Sequence, residues 1–240
     1  DATIIANWFG KEEPGYQIEG SSKTIFGDIS DPNCVNTILA ENKEPFDYMF
    51  YATALGEVGI PIVEAQKDSI LQSNRISFDP IPMLEDRLNI KTIVTYSTFY
   101  VIRHQLATYG AMGFSKEAIE KYTLESGKSH HSCIRAGLFE SQSSRGIKLL
   151  LRKSAKNPEN LKDPLLKSYF AGKSSKEGIK EFEEGIFREE KEAYGDCRTN
   201  AQDLYQSHLA LFETSNPVFV NVCGKKIWLS NEPQLLKDYF

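Results

Sequence analysis

The chain has 240 residues, of which 40% are hydrophobic and 25% charged, and its 28 Lys and Arg against 33 Asp and Glu give a net charge of −5. These proportions exclude collagen-like, coiled-coil and disordered chains, and no apolar run approaches the roughly 18 residues of a membrane span. The mild acidity argues against nucleic acid as a partner, because phosphate contacts need clustered Lys and Arg. We therefore expect one domain over residues 1–240, with neither nucleic acid nor membrane as a partner.

The cysteines are far apart and occur in no CxxC or CxxH spacing, so a zinc site and a disulfide scaffold both lack support. No secretory signal is visible at the start, and the chain contains no Asn-x-Ser/Thr sequon. These features predict four reduced thiols, no metal and a cytoplasmic location. The four residues are Cys34, Cys133, Cys197 and Cys223.

Strand-like and helix-like segments alternate along the chain. The apolar run 46–53 has the length of one strand and is predicted to be covered on both faces. Alternating elements with short loops predict an α/β fold, a Rossmann-type doubly wound parallel sheet with helices on both faces. Residues 146–200 are the most polar part and are predicted to form a mobile helical insertion or substrate lid. Strands are predicted at 3–6, 23–29, 46–53, 91–96, 132–137 and 217–223, and helices at 35–41, 81–88, 115–124, 173–194 and 203–212.

The window 108–120 carries the chemistry that the sequence suggests. Tyr109 and Lys116 are seven positions apart, which places them on the same face of a helix, two turns from each other. A neighbouring ammonium stabilises a phenolate and lowers the pKa of the phenol, which makes it a better proton donor. Gly110 and Gly113 between them are expected to leave the helix surface open to a flat ligand. The alternative is a tyrosine packed on a neighbour and a lysine in solvent, because many helices carry such a pair.

This window resembles the active-site helix of the divergent short-chain dehydrogenase/reductases, the enoyl-[acyl-carrier-protein] reductases, which carry Tyr, six residues and then Lys. Segments 26–32, 46–54, 133–141 and 203–221 resemble further phrases of the same family, in the same order. The resemblance implies reduction of an α,β-unsaturated acyl thioester by NADH or NADPH. It also implies an acyl carrier protein or CoA substrate and a homodimer or homotetramer.

The resemblance further implies the roles of individual residues. Tyr109 would protonate or stabilise the enolate, Lys116 would hold the nicotinamide ribose, and Tyr96 would be a second tyrosine at the end of a strand. Further cofactor contacts would come from Asp28, Ile29, Ala52, Thr53, Gly137, Leu138 and Ser141.

The sequence also departs from the family pattern. The family opens with a strand and a Gly-rich turn that receives the pyrophosphate, and here the early glycines are scattered. The first strand–helix unit therefore either lies upstream of Asp1 or is degraded. Ala54 stands where the family has glycine, and Leu138 stands where it has proline. Two other functions remain open, a carbonyl (keto) reductase of the same superfamily and a non-catalytic structural or assembly module.

Two polar pairs and one cysteine have alternative interpretations. Arg103 and His104 could bind an acyl phosphate or form a polar loop, and the loop is favoured. His130 and His131 could ligate a metal, but adjacent side chains diverge on a strand, so a solvated turn is favoured. Cys133 could be a nucleophile, although the absence of a nearby base favours a buried thiol.

Overall fold

The computed structural model describes residues 2–10, 15–125, 127–139, 142–156, 161–214 and 218–239. The strands in these ranges are β1 Ile5–Trp8, β2 Lys23–Phe26, β3 Phe46–Tyr51, β4 Ile90–Thr98, β5 His130–Ala136, β6 Phe219–Cys223 and β7 Lys226–Ser230. The helices are α1 Pro32–Glu41, α2 Lys67–Ser77, α3 Pro80–Arg87, α4 Arg103–Leu106, α5 Gly110–Thr123, α6 Gln142–Ser154, α7 Pro164–Phe170, α8 Ser175–Tyr194 and α9 Ala201–Glu213. Two short 3₁₀ turns lie at Ile62–Glu64 and Leu236–Asp238.

The centre of the fold is a five-stranded sheet in the order β3-β4-β5-β6-β7. The strands β3 to β6 pair in parallel, and β7 is antiparallel to β6 across a tight hairpin. Strands β1 and β2 form a separate two-stranded parallel sheet. Within the described ranges no strand joins the two sheets. The predicted parallel sheet is confirmed by the pairing of β3 to β6.

Helices cover both faces of the sheet because successive side chains of a strand point in opposite directions. Ile93 of β4 belongs to the core cluster that contains Ile119 of α5. The next residue, Val94, packs in the cluster that contains Leu211 of α9. The doubly wound arrangement expected from the alternation of elements is therefore confirmed.

The prediction that β3 is covered on both faces is wrong. Its side chains Tyr48 and Phe50 are 43% and 44% exposed, and they contact each other and Phe212. Helix α9 packs mainly on β5 and β6 and reaches β3 through His208 and Phe212 in its C-terminal half. An apolar run of strand length thus predicts the strand, but it does not establish that a helix lies on each side of it.

Helices α6, α7 and α8 form a second core with the segment that follows β4. Phe170 and Phe182 are fully buried there against Phe99 and Ile102. A capping box of Ser174 and Glu177 starts α8, and Gly195 ends it at a φ of 88°. The substrate lid at 146–200 stays a prediction. No helix in the described ranges is long and apolar enough to cross a membrane.

Candidate active site

Tyr109 lies immediately before α5, not inside it. Its backbone N–H donates to the carbonyl of Gln105, and the next N–H, that of Gly110, donates to the carbonyl of Ile60. The side chain is half-buried and packs in a small apolar cluster with Ile62 and Tyr100. Within the described residues its hydroxyl makes no hydrogen bond, and burial raises the pKa of Tyr109 to about 12. The phenol therefore lies in an apolar environment that disfavours its ionised form.

Lys116 is buried, with 7% of its surface exposed, and its ammonium points into the sheet. The Nζ atom donates to the backbone carbonyl of Tyr96 at 2.8 Å. Burial lowers the pKa of Lys116, while Cys133 and Glu120 oppose that effect. Because the ammonium contacts a carbonyl of β4 and the pKa of Tyr109 is raised, the expected lowering of the phenol pKa by Lys116 is wrong.

The small-residue face of α5 is covered by protein. A Cβ atom on Gly113 would lie well inside 3.0 Å from the fully buried Ile62, and one on Gly110 would lie 2.7 Å from the carbonyl oxygen of Glu57. The segment 56–62 therefore lies where the sequence suggested a surface open to a flat ligand. That expectation is wrong, because the two glycines have no side chain and a loop of the same chain packs directly against them.

Tyr96 faces the opposite side of the sheet from α5. Its hydroxyl is 2.8 Å from Nε2 of His208, whose Nδ1 is 2.7 Å from the carbonyl of Leu204. Burial raises the pKa of Tyr96 to about 12. The structure thus joins Lys116 to the backbone of Tyr96, but it places the phenols of Tyr96 and Tyr109 in different apolar clusters.

The residues assigned to the adenine side differ in exposure. Asp28 accepts hydrogen bonds from the N–H and the hydroxyl of Ser30, at 2.9 and 2.7 Å, so one of its oxygens shapes a local turn. Ile29 is 9% exposed and packs in the main core, so the expected contact of its side chain with the adenine is not available here. Ala52 and Thr53 are exposed directly after β3.

The segment assigned to the nicotinamide contacts α8. The N–H of Leu138 donates to Oε1 of Glu190 at 2.6 Å, and the backbone of Gly137 is enclosed by Glu190 and Thr199. Burial raises the pKa of Glu190 to about 7, and its Oε2 atom has no hydrogen-bond partner among the described residues. Ser141 lies outside the described residues. Helix α8 therefore occupies the end of β5 that the resemblance assigned to the cofactor.

A buried ion pair lies one helical turn from Lys116. Glu120, one turn further along α5, is fully buried and accepts from Nε and Nη2 of Arg135 at 3.0 and 2.7 Å. Gln234 adds a backbone and a side-chain donor to the same carboxylate. The sequence analysis missed this network. An arginine inside the apolar strand β5 was a usable signal, since a buried charge requires a partner.

The polar pairs of the sequence also have definite places. Arg103 and His104 begin the short helix α4 rather than a loop, and His104 contacts Glu189 of α8. His130 and His131 lie in β5, and His131 is 6% exposed and bonded to Glu85, so the predicted solvated turn is wrong. No cluster of three or more metal-ligating side chains occurs among the described residues.

No family model and no curated protein matches the chain. Among solved structures it is similar to enoyl-[acyl-carrier-protein] reductase (NADH) from Aquifex aeolicus, with 18% identity, 70% of this chain and 69% of that chain covered, and a TM-score of 0.44. It is similar to the Anaplasma phagocytophilum enoyl-(acyl-carrier-protein) reductase in complex with NAD, with 20% identity, coverage of 63% and 68%, and a TM-score of 0.48. A short chain dehydrogenase family protein from Francisella tularensis has 18% identity, coverage of 76% and 71%, and a TM-score of 0.47. The likeness concerns the backbone. The fold itself is established by the sheet order, and function has to be argued from the side chains.

Proposed function

We propose that the chain reduces an α,β-unsaturated acyl thioester with NADH or NADPH, with Tyr109 as the proton-donating phenol and Lys116 as the group that holds the ribose. The observation that carries the proposal is the ammonium of Lys116. It is buried next to the last residues of β4, and its single hydrogen bond among the described residues goes to the carbonyl of Tyr96. An ammonium has three donors, so two remain for the hydroxyls of a ligand.

The position of the pair supports the same function. Tyr96 is near the carboxyl end of β4, and Tyr109 begins the helix that returns along the sheet. Ligands of open parallel sheets bind outside the carboxyl ends of the strands. A buried lysine at this edge is typical of a functional site, because burying an ammonium without a carboxylate in direct contact destabilises the fold.

The two ends of the expected nucleotide site differ. Ala52 and Thr53 are exposed after β3, whereas at the other end the carboxylate of Glu190 accepts from the N–H of Leu138. In this arrangement the nicotinamide end does not fit. The proposal requires that Glu190 withdraw from Leu138 before the ring can bind.

The non-catalytic module remains a second candidate, and one observation favours it. The loop 56–62 covers α5 beside Tyr109, and the phenol has no hydrogen-bond partner within the described ranges. A chain that kept this fold only for assembly would have no need of an accessible phenol.

Titration calorimetry with NADH and with NADPH separates the two candidates. The reductase proposal expects binding of at least one nucleotide, and Lys116→Met should weaken it roughly 10- to 100-fold, the value of one or two hydrogen bonds from a charged donor. The matched control is Lys121→Met on the same helix, whose ammonium is exposed and pairs with Glu117. Absence of binding to both nucleotides would overturn the proposal and favour the module.

Turnover is tested with crotonyl-CoA and the nucleotide that binds, followed by loss of the dihydronicotinamide absorbance. Tyr109→Phe should lower kcat by about 10²- to 10⁴-fold and leave nucleotide binding unchanged, because only the proton donor is removed. Tyr205→Phe, on the exposed surface of α9, is the control. Full activity of the Tyr109→Phe variant would show that the phenol has another role.

A further inference from the structure

A second set of acid–base side chains joins helices α7 and α8 to the segment that follows β4. Nδ1 of His104 lies 2.5 Å from Oε2 of Glu189, and Nε2 of the same ring lies 2.9 Å from the hydroxyl of Tyr169. The three residues come from α4, α8 and α7. They form a linear chain in the order carboxylate, imidazole, phenol.

The direction of the hydrogen bonds follows from the charge of Glu189. Burial opposes ionisation of this carboxyl, but the bonds from His104 and from the N–H of Arg103 outweigh it and keep the pKa of Glu189 below its ordinary value. An ionised carboxylate accepts only, so Nδ1 of His104 carries the proton. In the neutral imidazole Nε2 is then an acceptor, and the hydroxyl of Tyr169 donates to it.

The packing around these groups leaves room for them. A Cβ atom on Gly185 would lie less than 3.0 Å from both the Tyr169 hydroxyl and Nε2 of His104, so the bare backbone of α8 accommodates the phenol and the imidazole. Phe182 contacts both rings and fixes their planes. Tyr169 and Glu189, the two ends of this chain of groups, are both half-buried, and His104 between them is buried.

In another tyrosine–histidine pair of the described residues, the histidine contacts a backbone carbonyl instead of a carboxylate. Nδ1 of His208, the partner of Tyr96, contacts the neutral backbone carbonyl of Leu204. A carbonyl orients the ring, but it stabilises an imidazolium less than a carboxylate does. The set at Tyr169 has a nucleophile, a base within hydrogen-bond reach and a charged group that orients the base, which is the arrangement of nucleophilic catalysts.

We propose that Tyr169 is an acyl-accepting nucleophile activated by His104 and Glu189, and that its substrates are activated acyl esters and thioesters. The phenol oxygen forms a bond to the acyl carbon while its proton passes to Nε2 of His104. The bond from the acyl carbon to the leaving oxygen or sulfur breaks, and the leaving group departs with the bonding electrons. The product is an aryl ester on Tyr169, and no oxidant or reductant takes part.

The test uses p-nitrophenyl acetate and the full chain without any nicotinamide, so its outcome is independent of the reductase proposal. We expect release of one p-nitrophenolate per chain and one acetyl group on Tyr169, located by peptide mass spectrometry. Tyr169→Phe should abolish the release, and His104→Gln should slow it about a hundredfold, the lower range for a positioned general base. Glu189→Gln retains an acceptor for the N–H groups of α4 and should also slow the release of p-nitrophenolate. This variant provides the measurement if the His104 variant does not fold.

The control variant is Tyr205→Phe, which removes a tyrosine that is 55% exposed and distant from the three residues in sequence. It should release p-nitrophenolate at the rate of the unaltered chain. Acetylation of Tyr169 no faster than that of Tyr205, or an unchanged rate in both the His104 and Glu189 variants, would overturn the proposal.

Discussion

Substitution of Gly113 by alanine tests whether the loop 56–62 covers the helix beside Tyr109. The added Cβ atom would lie 3.0 Å from Cγ1 of Ile62 and closer still to its Cδ1. Ile62 is fully buried against Tyr100 and Leu236, so it cannot move away without displacing them. Overpacking of this kind costs about 1–3 kcal/mol, whereas alanine in a helix gains about 1 kcal/mol over glycine. The net effect is a loss of up to about 2 kcal/mol, and in no case the gain that alanine brings at an open helix position.

Urea unfolding followed by circular dichroism measures this loss, and thermal unfolding should show a decrease in Tm of about 2–4 °C per kcal/mol for a chain of this size. Gly146→Ala is the matched control, because no atom lies within 4 Å of the Cβ position in α6. That variant should gain about 0.5–1 kcal/mol. Ile62→Val removes the atom closest to the new methyl group, so the double variant should be more stable than the sum of the single effects.

One result would refute this reasoning. If Gly113→Ala stabilised the chain as much as Gly146→Ala does, the loop would not lie against α5 in solution. The surface beside Tyr109 would then be open, as the sequence alone suggested.

Three further predictions concern buried carboxyl groups. Glu120→Gln leaves Arg135 without its charged partner and should destabilise the fold by about 3–5 kcal/mol, measured by urea unfolding. Burial opposes ionisation of Glu85, but the hydrogen bonds from Tyr122 and His131 outweigh it and lower the pKa of Glu85 to about 2. The stability that the ionised carboxylate adds to the fold is therefore fully present above pH 4.5 and is lost as the pH falls towards 2. Unfolding curves of Glu85→Gln should lack that acid-dependent component. Burial raises the pKa of Glu190 to about 7, so the chain should lose stability as the pH rises from 4.5 through 7, and Glu190→Gln should remove that loss.

The regular elements could be predicted where local signals decide them. The run 46–53 predicted β3, which spans Phe46–Tyr51, and the amphipathic pattern at 173–194 predicted α8, whose capping box and terminal Gly195 are encoded next to it. These patterns suffice because hydrophobic period and caps act within a few residues.

Elements with weaker local signals were missed or shortened. Helix α2 and strand β7 had no assignment, and α5 begins at Gly110 rather than at 115. Helices α6 and α7 were covered only by the general prediction of a helical insertion at 146–200. Gly110 and Gly113 near the start of α5 are poor helix formers. They are helical here because Ile62 and the neighbouring loop pack on them.

The sequence by itself determined the alternation of strands and helices, which predicts a parallel sheet, and the seven-residue spacing of Tyr109 and Lys116. Only the tertiary structure decided what surrounds them. Ile62 and Glu190 come from distant parts of the chain, and they cover the helix beside Tyr109 and occupy the N–H of Leu138. The pKa of a side chain depends on burial and on the charges around it. Spacing along a helix therefore predicts which residues share a face, whereas the contacts and the chemistry of their side chains depend on residues that spacing does not relate.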